Sequence, residues 1–226
     1  MGWFDRTKHY DRSRILNQAT RARVKKRRKK AVALYRRVLA VERHNVQLHA
    51  KIAPLLAETG QRFDAWVSFR IVARDHLRGG RGDEVLAVYR EAAGHLPGEI
   101  QVWQSIARLQ VRRGKLREAV EALVEGASQF ESRRRRPQAI QLLRHASEIE
   151  PWDFEVVFAL ARLLGRSGQI EEARRLLEGL EERNDDRLRR LSAAQFRLDG
   201  DLRYAWRWLR AALRPEAEAS YGQGGA

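Results

Sequence analysis

Three stretches of this chain carry the same residue types in the same order. They begin at Val46, Ile100 and Phe154, so successive copies lie 54 residues apart. The equivalent positions are Ile52, Ile106 and Leu160; Ala53, Ala107 and Ala161; Gly60, Gly114 and Gly168; and Ala65, Ala119 and Ala173. A short unit cannot bury its apolar face alone and must stack on its neighbours. The periodicity therefore predicts a repeat architecture.

Each copy begins with apolar residues spaced three and four apart, which is the pattern of a helix with one buried face. A glycine then ends the helix, because glycine adopts left-handed backbone geometry at little cost. A second helix follows, and a third ends before Pro97 or Pro151. The pattern predicts helices at about 12–26, 29–43, 46–58, 62–78, 82–95, 100–113, 116–131, 135–149, 154–166, 169–182 and 187–213, the last broken at Gly200.

These residues resemble the tetratricopeptide repeat (TPR) family, whose unit is a helix–turn–helix of 34 residues. The signature positions of one copy are Trp103, Ile106, Ala107, Gly114, Ala119 and Leu123. Those of the next are Leu160, Ala161, Leu164, Gly168, Ala173 and Leu177, and the final pair keeps Gly200, Ala205, Leu209 and Ala212. Extra helices at about 82–95 and 135–149 depart from the family pattern. The helices around 63–78 and 116–131 must then each pair with both the preceding and the following helix. This indicates an irregular variant with a three-helix period.

The resemblance implies an all-α fold, a right-handed α-solenoid of about 12 helices over residues 12–214. Residues 12–45 form its basic first hairpin, preceded by an extension (1–11) and followed by a disordered tail (215–226). The family also implies a non-enzymatic adaptor or scaffold that binds protein partners. That inference rests on the fold rather than on a site.

The positive charge is concentrated at one end of the chain. The net charge is +16, and residues 1–45 hold 15 Lys and Arg against three acidic residues. Eight basic residues lie in the stretch from Arg21 to Lys30. Their charges contribute nothing to the fold and repel one another, and binding of an anionic partner would relieve that repulsion. The family's turn glycine is replaced by Lys26, so residues 12–43 could form a hairpin or one long helix.

A second basic turn lies 108 residues later, and the alternation of helix direction places both turns on one edge of the solenoid. The predicted anion-binding residues are Arg21, Arg23, Lys25, Lys26, Arg27, Arg28, Lys29, Lys30, Arg133, Arg134, Arg135 and Arg136. An acidic protein segment is the expected partner. The alternative is backbone contact with nucleic acid or the ribosome, since no sequence-specific nucleic-acid motif is present. The apolar stripe is too small for a membrane-surface helix, and membrane insertion is not expected.

In TPR folds the first helix of each pair lines a groove that holds partner peptides. Transferring that face predicts the partner-binding residues Arg108, Arg112, Arg162, Arg166, Arg190 and Arg197, whose guanidinium groups suit carboxylates. A salt-bridged surface explains the same arginines equally well. Trp206 and Trp208 lie on a terminal helix that is too apolar for a cap, so we expect it to dock to a partner or a second copy. We expect Trp103 in the core, with Trp66 and Trp152 partly buried.

The remaining chemistry is sparse. The chain has no cysteine, which excludes disulfides and thiolate metal sites, and its six histidines show no metal-ligand spacing. No stretch is long and apolar enough to span a membrane. The sequence therefore predicts a cytoplasmic, non-enzymatic protein without a cofactor.

Overall fold

The structure is a computed structural model that describes residues 11–130, 132–181, 187–200 and 202–212. All regular secondary structure in these ranges is helical. The α-helices are α1 (Arg12–Val24), α2 (Arg28–Leu39), α3 (Val46–Glu58), α4 (Arg62–Arg78), α5 (Gly82–His95), α6 (Ile100–Arg112), α7 (Leu116–Ser128), α8 (Arg136–Ile149), α9 (Phe154–Arg166), α10 (Ile170–Glu181), α11 (Leu188–Asp199) and α12 (Leu202–Ala212). The prediction of twelve all-α segments is confirmed. The predicted tail at 215–226, and all of the predicted extension at 1–11 except residue 11, lie outside the described residues.

Side-chain caps and turn glycines set the helix boundaries of the repeats, although Glu99, the equivalent residue before α6, makes no side-chain capping hydrogen bond. Asn45 and Asp153 occupy equivalent positions before α3 and α9, and each side chain accepts a hydrogen bond from a backbone N–H of the first turn. The other end of the helix is set by glycine. Gly60, Gly114 and Gly168 all have positive φ, between 72° and 83°, as the predicted role requires.

The core is built from the positions that the repeat alignment selects. The equivalent isoleucines and leucine are at most 5 % exposed, and the two sets of equivalent alanines are at most 1 % exposed. The alanines at the second helix leave no room for a larger side chain between close helices. The sequence period therefore identifies the buried positions correctly.

The chain divides into two compact units, one up to Arg113 and one from Gly114. In the first unit each of α1 to α5 packs against the next helix, so α4 contacts both α3 and α5. α3 also contacts α5 directly.

In the second unit each of α7 to α11 packs against the next helix in order. Its core joins α9, α10 and α11 through Phe154, Phe158, Leu177 and Leu191. The rings of Phe154 and Phe158 stack with centroids 5.3 Å apart. These two rings form the wall beneath the arginines described below.

The basic run forms a hairpin, not one long helix. α1 ends at Val24 and α2 begins at Arg28, with Lys26 at φ 54° between them. Lys26 is the only residue other than glycine with positive φ in the part of the chain that the structure describes, and Gly80 has φ 70° one period later. A further period on, a short 3-10 helix at Arg133–Arg135 replaces the left-handed turn.

The burial of the tryptophan side chains differs in part from the prediction. Trp103 is buried as expected, and its indole N–H donates to the Pro97 carbonyl at 2.9 Å. Trp66, expected to be partly buried, is only 4 % exposed. The prediction for Trp152 is wrong, because its side chain is 67 % exposed. Trp152 lies in the turn between α8 and α9 and therefore outside the buried faces of both helices.

Candidate partner-binding grooves

Four arginines from two helices line one open cavity of about 500 Å³ in the first unit. Arg70 and Arg74 come from α4, and Arg108 and Arg112 come from α6. Each pair is spaced four residues apart, so both members of a pair project from one helical face. We call this cavity the first arginine groove. The sequence predicted Arg108 and Arg112 but missed the two arginines of α4.

The wall of this groove is held by an aromatic and amide contact. The Trp66 indole N–H donates to Gln101 Oε1 at 2.8 Å, and the Trp66 ring lies 5.9 Å from the ring of Tyr89. Gln104 and Ser105 complete the polar lining beside Arg108. The groove is thus lined by polar, aromatic and aliphatic side chains of α4, α5 and α6.

None of the four groove arginines makes an ion pair within the described ranges, and all four are exposed. Other arginines of the first unit are paired: Arg12 with Glu42, Arg28 with Glu58, Arg36 with Asp64, Arg81 with Asp75 and Arg113 with Asp83. The groove therefore retains positive charge that ion pairs offset on other faces of this unit.

The second unit has two adjoining cavities that share Arg162 and Arg197. One, of about 240 Å³, is lined by small and aliphatic residues and by Arg166 as a third arginine. The other, of about 320 Å³, is lined by Phe158 and Trp208 among others. We call the two cavities together the second arginine groove. Arg162, Arg166 and Arg197 are exposed and make no ion pair with any described carboxylate.

Arg190 differs from these arginines because it forms an ion pair with a carboxylate of the same unit. Its two terminal nitrogens donate to the Glu155 carboxylate at 2.6 and 2.9 Å. The guanidinium also lies over the rings of Phe154 and Phe158, at 5.1 and 4.9 Å from their centroids. The hydrogen bonds from Arg190 lower the pKa of Glu155 and raise the pKa of Arg190 itself. The salt-bridged alternative is therefore the one that applies to Arg190, which forms part of the groove wall.

The two C-terminal tryptophans lie on different faces of α12. Trp208 is 44 % exposed and lines the second arginine groove. Trp206 is 68 % exposed and shares an exposed stripe with Leu202 and Leu209, four residues before it and three after it. Arg207 ties this helix to α10 by pairing with Glu181. The sequence grouped the two tryptophans as one docking surface, whereas the structure gives them separate surroundings.

The basic turn, residues Arg21–Lys30, has all eight of its basic side chains exposed. Arg28 pairs with Glu58 of α3, so the expectation that the run contributes nothing to the fold is wrong for this residue. Arg23, Lys26 and Arg28 also line an open cavity of about 740 Å³ together with Lys51, Glu58 and Glu91. In this turn Arg28 therefore stabilises the fold, whereas most of the positive charge is not offset by an ion pair among the described residues.

The later basic turn carries two contacts of its own. Arg136 donates to the backbone carbonyl of Arg166 at the end of α9, and it lies 108 residues after Arg28 just as Arg166 lies 108 after Glu58. Arg135 lies 5.6 Å from the centroid of the Phe130 ring. Arg133 and Arg134 are exposed. Positions equivalent to Arg28 thus tether the start of one helix to the end of the next in both units.

Known proteins were compared with the chain at the level of sequence families and of solved structures. The tetratricopeptide repeat family model matches residues 132–195, which span α8, α9, α10 and the first part of α11. Residues 132–195 are thus identified as tetratricopeptide repeat sequence. No curated protein sequence matches it.

Solved structures of TPR and other proteins align with the chain at low identity. MamA is 13 % identical, with 78 % of this chain and 93 % of that chain covered and a TM-score of 0.29. TTC0263, a thermophilic TPR protein in Thermus thermophilus, is 17 % identical, with 90 % and 100 % covered and a TM-score of 0.31. The human IFIT1 dimer with m7Gppp-AAAA is 16 % identical, with 82 % of this chain and 54 % of that chain covered and a TM-score of 0.35.

The TPR assignment explains why the α4 arginines escaped the sequence prediction. The sequence predicts the groove face on the first helix of each α-hairpin, and α4 is the second helix of the α3–α4 pair. In the structure α4 also packs on α5 and thus acts as the first helix of the next pair. The same face rule, applied to α4, places Arg70 and Arg74 beside α6.

A TPR fold supports a protein–protein interaction scaffold in general, and its family is typically non-enzymatic. Within the described ranges, no group of three or more His, Asp or Glu side chains is arranged to hold a metal ion. His49, which is buried, is engaged by Ser68 at 3.2 Å and by the Arg43 carbonyl at 3.0 Å, both structural contacts. None of the helices that the structure describes has the length and apolar character of a membrane span.

Proposed function

We propose that this TPR protein is an adaptor that binds acidic segments of partner proteins in its two arginine grooves. The observation that carries the proposal is the first groove, where four exposed arginines converge on one cavity without a carboxylate partner among the described residues. Concentrated like charge is unfavourable unless something offsets it, and carboxylates of a bound segment would do so.

The spacing of the groove arginines suits an extended acidic peptide. Residues four apart on a helix are separated by about 6 Å along its axis, at about 1.5 Å per residue. Alternate residues of an extended chain are separated by nearly the same distance, about 6.5 Å. Arg108 and Arg112 can therefore each face one carboxylate of a segment with acidic residues at every second position, and guanidinium groups bind carboxylates with two parallel hydrogen bonds.

A fluorescence anisotropy titration tests this proposal with a labelled peptide of alternating Glu and Ser. The double variant Arg108→Glu, Arg112→Glu should weaken binding by about 2 kcal/mol or more, which is about 30-fold, because each reversal removes a charge-assisted contact and adds repulsion. The matched control is Arg37→Glu, Arg90→Glu, which changes the net charge equally at exposed positions outside the grooves. Equal loss in both variants, or binding of a Gln/Ser peptide as tight as that of the Glu/Ser peptide, would contradict groove binding.

A second candidate function, backbone binding of nucleic acid, is favoured by the basic turn. The first turn of α2 contains Arg28, Lys29 and Lys30 and no acidic residue, although the N-terminal end of a helix is already positive. Phosphates placed there would offset both sources of charge. In the same assay, a labelled oligouridine replaces the peptide. If Lys29→Glu, Lys30→Glu abolishes its binding and flattens the salt dependence while peptide binding is unchanged, the basic turn is the nucleic-acid site.

A further inference from the structure

We infer that the second arginine groove selects acidic segments that carry a large apolar side chain next to a carboxylate. This inference rests on the proposed function and adds a specificity that charge alone does not provide. It arises from the cavity of about 240 Å³ in the second unit, which differs in chemistry from the first arginine groove.

The cavity has an apolar interior that reaches the core of the second unit. Its apolar lining residues are Ala161, Gly165, Ile170, Leu177, Ala194 and Leu198. Ala161 and Leu177 are 1 % and 2 % exposed and belong to the main apolar cluster of this unit. An apolar cavity of about 150 Å³ is large enough to hold benzene. The volume here therefore accommodates a phenyl-sized group.

Small residues on α9 and α11 keep this cavity open. A Cβ atom built on Gly165 would lie 2.6 Å from Leu198 Cδ1, so glycine leaves this space to the end of the Leu198 side chain. Ala161 and Ala194 line the same space, where larger side chains would fill it. The sequence thus leaves an apolar space between helices that otherwise pack tightly.

The rim of the cavity determines the charge of its occupant. Arg162, Arg166 and Arg197 surround the opening, and none of them is paired with a described carboxylate. An apolar cavity flanked by positive charge would repel a basic segment and leave its charges unpaired. The complementary occupant is a partner segment with one large apolar side chain and adjacent Asp or Glu residues.

The two arginine grooves differ in the residues that line them, and this difference is the basis of the inferred specificity. The polar lining of that groove includes Gln101, Gln104 and Ser105 in addition to its four arginines. Its apolar lining residues, Trp66, Leu77, Val85, Tyr89 and Leu109, are therefore accompanied by seven polar or charged ones, whereas three arginines are the only polar residues that line the second-unit cavity of about 240 Å³. We therefore expect the first groove to bind acidic segments generally and the second groove to discriminate among them.

The test uses the full chain carrying Arg108→Glu and Arg112→Glu, which weaken the first groove. Two labelled Glu/Ser peptides are titrated, one with a central Phe and one with Ala at the same position. The Phe peptide should bind about 10- to 100-fold more tightly, because burying a phenyl group in an apolar site is worth that much affinity.

Substitution Ala194→Leu should fill the cavity and remove the preference for Phe, so that the two peptides bind with similar affinity. Ala87→Leu, the same change at an exposed position of α5, is the control and should keep the preference. Thermal unfolding followed by circular dichroism verifies that each variant is folded.

The outcomes separate this inference from the proposed function. Equal affinity for the two peptides overturns the inference and leaves acidic-segment binding standing, a result that needs no folded cavity variant. A preference for Phe that survives Ala194→Leu places the selective site elsewhere and also overturns it. If the unsubstituted chain binds neither peptide, the proposed function itself fails.

Discussion

Replacing Lys26 with glycine should stabilise the first unit, because Lys26 adopts left-handed backbone geometry that favours glycine. A side chain in this region costs about 1–2 kcal/mol through the contact of its Cβ with the backbone. Glycine loses more conformational freedom on folding, which offsets about 0.5–1 kcal/mol of that gain. The expected net stabilisation is about 0.5–1 kcal/mol, or a rise in Tm of about 2–8 °C for a unit of roughly 100 residues.

The repeat supplies the reverse experiment at Gly80, the equivalent position one period later. A Cβ built on Gly80 would meet nothing within 4 Å, so Gly80→Lys isolates the backbone cost from any clash. We expect it to destabilise the unit by about the amount that Lys26→Gly stabilises it. The two substitutions are reciprocal, since one replaces Lys with Gly and the other replaces Gly with Lys at equivalent positions of successive repeats.

Charge relief is the competing explanation, since Lys26 lies in a run of basic residues. The variant Lys26→Gln removes the charge but keeps a side chain in the left-handed region, so it separates the two effects. The assay is urea and thermal unfolding followed by circular dichroism at two salt concentrations. If Lys26→Gln stabilises as much as Lys26→Gly at low salt, and neither does so at high salt, repulsion rather than backbone geometry sets the cost and our reasoning is refuted.

Two further predictions concern the second unit. Gly179→Ala, where a Cβ meets nothing, should stabilise α10 by about 0.5–1 kcal/mol in urea unfolding, and Gly165→Ala should stabilise α9 less, because its added methyl group must displace the end of the Leu198 side chain; equal effects would contradict the contact between Gly165 and Leu198. The lowered pKa of Glu155 means that its pairing with Arg190 stabilises the fold above about pH 4.3 and ceases to do so as pH falls through the lowered value. The Tm difference between the wild type and Glu155→Gln should therefore vanish at low pH, and a difference that persists there would contradict the assignment.

The helices and the buried positions were predictable because their signals are local. Apolar spacing, a capping residue and a turn glycine all act within a few residues, and the constant 54-residue offset repeats them. Ile52, Ala53 and Gly60 and their equivalents therefore appear in the structure in the predicted roles. The candidate arginines Arg108, Arg112, Arg162, Arg166 and Arg197 also lie at grooves, since the helical period determines which face each one shares.

The composition of each groove was decided by contacts between residues distant in the chain. Arg190 is neutralised by Glu155, 35 residues earlier, and no local pattern distinguishes it from Arg197, which has no such partner among the described residues. Arg70 reaches the first groove only because α4 packs on α5 as well as on α3. Periodicity specifies which face of a helix is buried. The partner of a charged side chain, and the space left between helices, depend on how the helices pack together.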